Sequence, residues 1–84
     1  MKNKFILESL ASDLKRVAIG LQRGSGVMAE RFLDEALKRR DEVEIKIVEP
    51  YMRKLLTRLD KDINAENALM FSTLIQNYTQ CKKF

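Results

Sequence analysis

The helical character of this chain is clearest in KFILESLASDLKRVAIGLQ, residues 4–22. Ala11 and Ala18 lie beside a stripe of larger apolar residues that recur at steps of three and four, the spacing of one helix face. The stripe consists of Leu7, Leu10, Leu14, Val17 and Leu21. Because such a stripe is unstable in water, the helix must pack against other helices, and the sequence predicts an all-α fold. Asn3 is the predicted N-cap of this helix.

A short link follows the first helix. Gly24 suits the left-handed conformation that commonly ends a helix, and Ser25 is a suitable cap for a second helix starting near Val27. A link this short places the two helices side by side, so they are predicted to form an antiparallel hairpin. The second helix carries an inner stripe of its own, made of Ala29, Phe32, Leu33, Ala36 and Leu37.

Residues 43–48, VEIKIV, alternate apolar and charged side chains in the manner of a β-strand. Since the rest of the chain offers no partner strand, we expect an extended connection or a helix end. Continuation of helix two and pairing across a dimer are the alternatives. Pro50 disfavours a helical conformation at Glu49 and suits the first turn of a third helix. The stripe of that helix is Met52, Leu55, Leu56, Leu59 and Ile63.

A fourth helix is predicted after Asn64, a favourable cap. Its apolar arc spans about 160°, which is wider than the roughly 100° that one core requires, and Leu69 lies outside even this arc. The arc consists of Ala68, Met70, Phe71, Leu74, Ile75, Tyr78 and Cys81. Residues 1–84 are therefore expected to form a single small four-helix domain. Its surplus apolar surface predicts an oligomeric bundle.

The composition disfavours several kinds of chemistry. The chain has no histidine, so the commonest general base and metal ligand is missing, and Cys81 is its only cysteine. The run from Asp60 to Glu66 begins like a calcium loop, but Ala65 replaces the required glycine and Phe71 the required glutamate. We expect no enzyme activity, no cofactor and no metal. Lacking a long apolar segment or a signal peptide, the protein is expected to be cytoplasmic, without a membrane span.

The leading functional prediction is a non-enzymatic protein–protein interaction module that acts as a homo-oligomer. A homodimer is the favoured state, and a second protein partner is the alternative. The prediction depends on the wide arc of helix four and on apolar residues off the main stripe of helix one. The candidate interface residues are Leu7, Leu14, Met70, Phe71, Leu74 and Tyr78.

The competing prediction is a small nucleic-acid-binding regulatory protein. The net charge is +4, and Lys54, Arg58 and Lys61 fall on one face of helix three, where they are candidate phosphate contacts. Residues 38–40, KRR, add a second basic group at the end of helix two. The positively charged segments 1–26 and 50–84 are separated by residues 27–49, whose net charge is negative. The sequence therefore does not predict one continuous basic face.

Overall fold

The computed structural model describes residues 2–44, 46, 48–59 and 63–81, and within them the chain forms four α-helices and no β-strand. The all-α prediction is confirmed, and the first two helices form the predicted hairpin. The helices are α1 (Lys2–Gln22), α2 (Gly26–Glu42), α3 (Pro50–Thr57) and α4 (Ala65–Cys81).

The turn between α1 and α2 depends on glycine. Gly24 has a φ of 74°, the left-handed conformation predicted for it. The N–H of Ser25 donates to the carbonyl of Gly20 at 2.8 Å and closes the turn. Ser25 is the residue before α2, as predicted, but its side chain makes no capping hydrogen bond. A Cβ on Gly20 would lie 3.1 Å from the backbone nitrogen of Ala29, so the absent side chain allows the two helices to approach closely.

Helix α1 is the central element and packs closely against both α2 and α4. Its predicted stripe forms the main core, since Leu7, Leu10 and Leu14 have no exposed surface. Helix α3 covers this end of the stripe with Met52 and Leu56, which are also fully buried. The sequence pattern of α1 is therefore satisfied by helices of the same chain.

Both ends of the connection between α2 and α3 are extended, in line with the expected extended connection, whereas Lys46 between them adopts a 3₁₀ conformation. Helix α2 ends at Glu42 and Val43 adopts an extended conformation, with a ψ of 134°. Glu49 is also extended, and Pro50 begins α3. Ile45 and Ile47, which belong to the alternating pattern, lie outside the described residues.

Helix α3 is shorter than its predicted stripe. It ends at Thr57, where the N–H of Arg58 bonds to the carbonyls of the last turn. Leu59 is nevertheless fully buried beyond the helix, and Ile63 packs against the core without belonging to α3. The prediction that both residues continue the helix is wrong, because apolar spacing records burial and not the conformation that produces it.

Asn3 has a different role from the predicted one. Helix α1 begins at Lys2, so Asn3 lies within the first turn, and only 4% of its surface is exposed. Its Nδ2 donates to the carbonyl of Glu44 at 3.2 Å, and its Oδ1 accepts from the N–H of Glu44 at 3.0 Å. The N-cap prediction is wrong: the amide holds the α2–α3 connection against the start of α1.

The folded chain has a radius of gyration of 12.0 Å. A single folded chain of this length is expected to have a value of about 12 Å, so the chain is as compact as a single folded domain. In the part of the chain that the structure describes, no helix combines the length and the hydropathy of a membrane span.

Candidate interaction surface

Helix α4 has a fixed orientation because three kinds of contact hold it. The Oδ1 of Asn64 accepts a hydrogen bond from the N–H of Asn67 at 2.8 Å, so Asn64 is the predicted cap. The Oγ of Ser72 is buried and donates to the carbonyl of Ala11 at 2.6 Å, which ties α4 to α1. The remaining contacts are apolar and come from Ala68, Phe71, Ile75 and Tyr78, all buried in the core.

The outward side of α4 is unusually poor in charge. One third of the whole chain is charged, whereas Glu66 is the only charged residue in the sequence of α4. Three large apolar side chains are exposed on this side: Leu69 by 44%, Met70 by 47% and Leu74 by 43%. Elsewhere in the described residues, exposed helix positions are mostly charged or polar.

The exposed apolar residues border a common strip. At 100° per residue, Leu69 and Leu74 lie about 140° apart around the helix, with Thr73, Asn77 and Met70 between them. Met70 and Leu74 are one turn apart and are neighbours on the helix surface. We call these five residues the α4 face. The five residues carry apolar side chains along both edges and no formal charge. The exposed carboxylate of Glu66 falls within the same strip of about 140°, one turn before Leu69 and Met70.

Four of the six predicted interface residues lie in the chain's own core. Leu7 and Leu14 have no exposed surface, and Phe71 and Tyr78 are only 4% and 5% exposed. In this arrangement of helices they present no surface to a partner, which corrects the expectation that they do. Helical spacing identifies apolar positions but does not distinguish a helix of the same chain from one of another. Met70 and Leu74 remain at the surface.

Tyr78 has a polar as well as an apolar role. Its hydroxyl accepts a hydrogen bond from the N–H of Glu49 at 3.3 Å, next to the start of α3. Its ring meets that of Tyr51 edge to face, with centroids 5.9 Å apart. Tyr78 therefore ties the end of α4 to the α2–α3 connection, and it does not serve as an anchor for a partner.

The structure describes two of the three predicted phosphate contacts. Lys54 is exposed on α3 and Arg58 is exposed just after it, while Lys61 lies outside the described residues. Other basic residues bind within the chain. Arg40 donates to the carbonyl of Leu56 at 3.4 Å.

Arg53 is likewise used to shape the fold. Its Nε donates to the carbonyl of Val48 at 3.1 Å and its Nη2 donates to that of Lys46 at 3.3 Å. The α2–α3 connection is therefore hydrogen-bonded by side chains from three helices: Asn3 of α1, Arg53 of α3 and Tyr78 of α4. The sequence analysis missed this arrangement, because side-chain bonds to a distant backbone have no periodic signal.

A partly buried carboxylate lies between α1 and α2. The side chain of Asp13 is 12% exposed and lies 3.5 Å from Arg16 and 4.0 Å from Arg39. Burial raises the pKa of Asp13 above its ordinary value of 3.8, and the two guanidinium groups oppose the rise. Arg16 also lies 5.5 Å from the ring centre of Phe32. These contacts join the two helices of the hairpin and form no recognisable catalytic arrangement.

Comparison with known proteins gives no relative from which a function can be inferred. The chain matches no protein-family model, no curated protein and no solved structure. The α4 face is therefore assessed on its geometry and chemistry alone.

Proposed function

We propose that this protein is a non-enzymatic helical protein–protein interaction module that acts as a homo-oligomer, with the α4 face as its contact surface. One observation carries the proposal: an exposed helix face bears three large apolar side chains and, apart from Glu66 at its N-terminal end, no charge, in a chain that is one-third charged. The centres of protein interfaces are depleted in charge and enriched in methionine. Met70 lies between Leu69 and Leu74 on this face.

Charge favours a second copy of the chain as the partner. Two copies that each carry +4 repel one another, so contact is least costly where the facing surfaces are uncharged. In a twofold dimer the same patch meets itself, and an uncharged patch brings no like charges together. Thr73 and Asn77 add a hydroxyl and an amide, which can hydrogen-bond to their counterparts across the axis.

The size of the face indicates a weak association. A standard interface buries about 800 Å² on each partner, and three half-exposed side chains on one helix supply much less. The dissociation constant is therefore expected in the micromolar range or weaker, at about 10 µM or above. Folded chains are expected to dock and separate reversibly, since each chain buries most of its apolar residues within itself.

The proposal is tested by measuring mass against concentration. Sedimentation equilibrium from about 10 µM to about 1 mM should show the average mass rising from 9.8 kDa towards twice that value. Leu74→Glu should weaken the association measurably, because it places two carboxylates across the twofold contact and so removes association through the α4 face. Ser12→Glu is the matched control, since it adds the same charge at an exposed position of α1 and should leave the association unchanged.

Circular dichroism must show that both variants remain folded. A wild-type chain that stays monomeric at the highest concentration contradicts the proposal, as does a Leu74→Glu variant that associates like the wild type.

The dependence on salt separates the proposal from nucleic-acid binding through Lys54, Arg58 and Lys61. Apolar association is unchanged or strengthened by salt, whereas phosphate contacts on duplex DNA weaken with a slope of about −0.9 per contact. Co-purified nucleic acid is detected by absorbance at 260 nm.

A further inference from the structure

A second apolar surface lies at the opposite end of the core from α3. It is a groove of about 440 Å³ between the α1–α2 hairpin and Ile63, the residue that precedes Asn64 and α4. Its walls are apolar apart from Glu30, and Val27 on its rim is 82% exposed. The side chains that form it are chiefly Val17, Leu21, Val27, Leu33 and Ile63.

The groove exists because α3 covers only part of the α1 stripe. Helix α3 has 8 residues and extends about 12 Å, whereas α1 has 21 residues and extends about 31 Å. Leu7 and Leu14, at the covered end, are fully buried, but Leu21 at the other end is only partly buried. The smaller core at that end is also bordered by partly buried Phe32 and Leu33.

Phe5 is the exposed side chain best suited to this groove. Its ring is 71% exposed, which makes it the most exposed aromatic side chain among the described residues. An apolar cavity of roughly 150 Å³ is enough to hold benzene, so the groove has room for a phenyl ring. Phe5 follows the exposed cation Lys4, and the one charged residue of the groove wall is the carboxylate of Glu30. The two surfaces are therefore complementary in apolar character and through the pair Lys4 and Glu30, while exposed Glu8, one turn from Phe5, must lie away from Glu30.

A chain cannot place Phe5 in its own groove. Phe5 and Val17 are 12 positions apart on the same rigid helix, a distance of about 18 Å along its axis. We propose that the groove receives Phe5 of a second copy of this chain, with Lys4 of that copy beside Glu30. The contact joins a different surface of each partner: made once, head-to-tail, it extends into chains or rings, and made reciprocally about a twofold axis it closes a dimer. It is independent of the α4 face.

Two complementary variants test the contact. Both carry Leu74→Glu, which removes association through the α4 face. Phe5→Ser removes the ring and leaves the groove intact, while Val27→Lys places a cation at the groove rim, opposite Lys4, and leaves Phe5 intact. Each variant alone should associate at least about tenfold more weakly than the Leu74→Glu parent, because burial of the ring is lost or opposed. Both substitutions are at exposed positions, so folding should be retained.

Mixing the variants gives the decisive measurement. The Phe5→Ser chain is labelled with ¹⁵N and titrated with the unlabelled Val27→Lys chain. The expected result is a one-to-one complex, with amide shifts at Leu21, Val27, Leu33 and Ile63. Absence of shifts at about 1 mM overturns the proposal. Shifts confined to residues 69–77 overturn it too, while indicating that the α4 face still associates. If the Leu74→Glu parent stays monomeric, the contact between Phe5 and the groove is overturned. That result does not contradict association through the α4 face, which is tested by the wild-type chain.

Discussion

Replacement of Asn3 is the sharpest test of how this fold is held together. The Asn3 amide makes two hydrogen bonds to the backbone of Glu44, at 3.2 and 3.0 Å, and is 4% exposed. Each such bond contributes about 0.5–1.5 kcal/mol net, so Asn3→Ala should lower the free energy of unfolding by about 1–3 kcal/mol. Glu44 is exposed, and water can replace part of what is lost, which favours the lower half of that range.

The assay is urea unfolding followed by circular dichroism at 222 nm, with thermal melting as a second measure. A loss of 1 kcal/mol corresponds to a fall in Tm of about 4–8 °C for a domain of this size. Gln76→Ala is the matched control, because Gln76 is an exposed amide residue within α4 that lies outside the α4 face. Alanine is the better helix former, so that control should be neutral or slightly stabilising.

Asn3→Asp separates the observed contact from an N-cap. Aspartate and asparagine are about equally good N-caps, so a capping role predicts little change. In the observed arrangement the substitution loses the donor to the Glu44 carbonyl and places a carboxylate beside that oxygen. Asn3→Asp should therefore cost about 2 kcal/mol at neutral pH, and less in acid, where the carboxyl group regains a proton to donate. A neutral effect of both substitutions would refute the reasoning.

Four further substitutions test the fold. Gly24→Ala should lower the free energy of unfolding by about 1 kcal/mol, because the φ of Gly24 is 74°. Gly26 lies at the start of α2 with open space around it, so Gly26→Ala should be neutral or stabilising. The urea midpoints of the two variants compare these effects. Asp13→Asn should match or exceed the wild-type Tm at pH 7, because a raised pKa means that the ionised carboxylate opposes folding. The difference should vanish below the ordinary pKa of 3.8, and a lower Tm at pH 7 would contradict this. Ser72→Ala should cost about 1 kcal/mol by chemical unfolding, since the bond to the Ala11 carbonyl is lost; no loss would show that the bond contributes nothing.

The amino-acid sequence by itself determined the helical class, the position of the α1–α2 turn, the start of α3 and most of the core. These features follow from local rules: apolar residues at steps of three and four, glycine at a positive φ, and proline at the start of a helix. Met70 and Leu74 are exposed, so they remain candidates for an interface, and the contact that they make stays a prediction.

Only the tertiary structure decided which apolar residues are covered by the chain itself. Leu14 of α1 and Leu74 of α4 both belong to apolar patterns with helical spacing, yet Leu14 is fully buried and Leu74 is 43% exposed. It also decided that Asn3 binds the backbone of Glu44, 41 positions away. The physical reason is that periodicity specifies which side of a helix is apolar, whereas burial depends on which helix lies opposite. That depends on the lengths of α1 and α3, which leave one end of the core open.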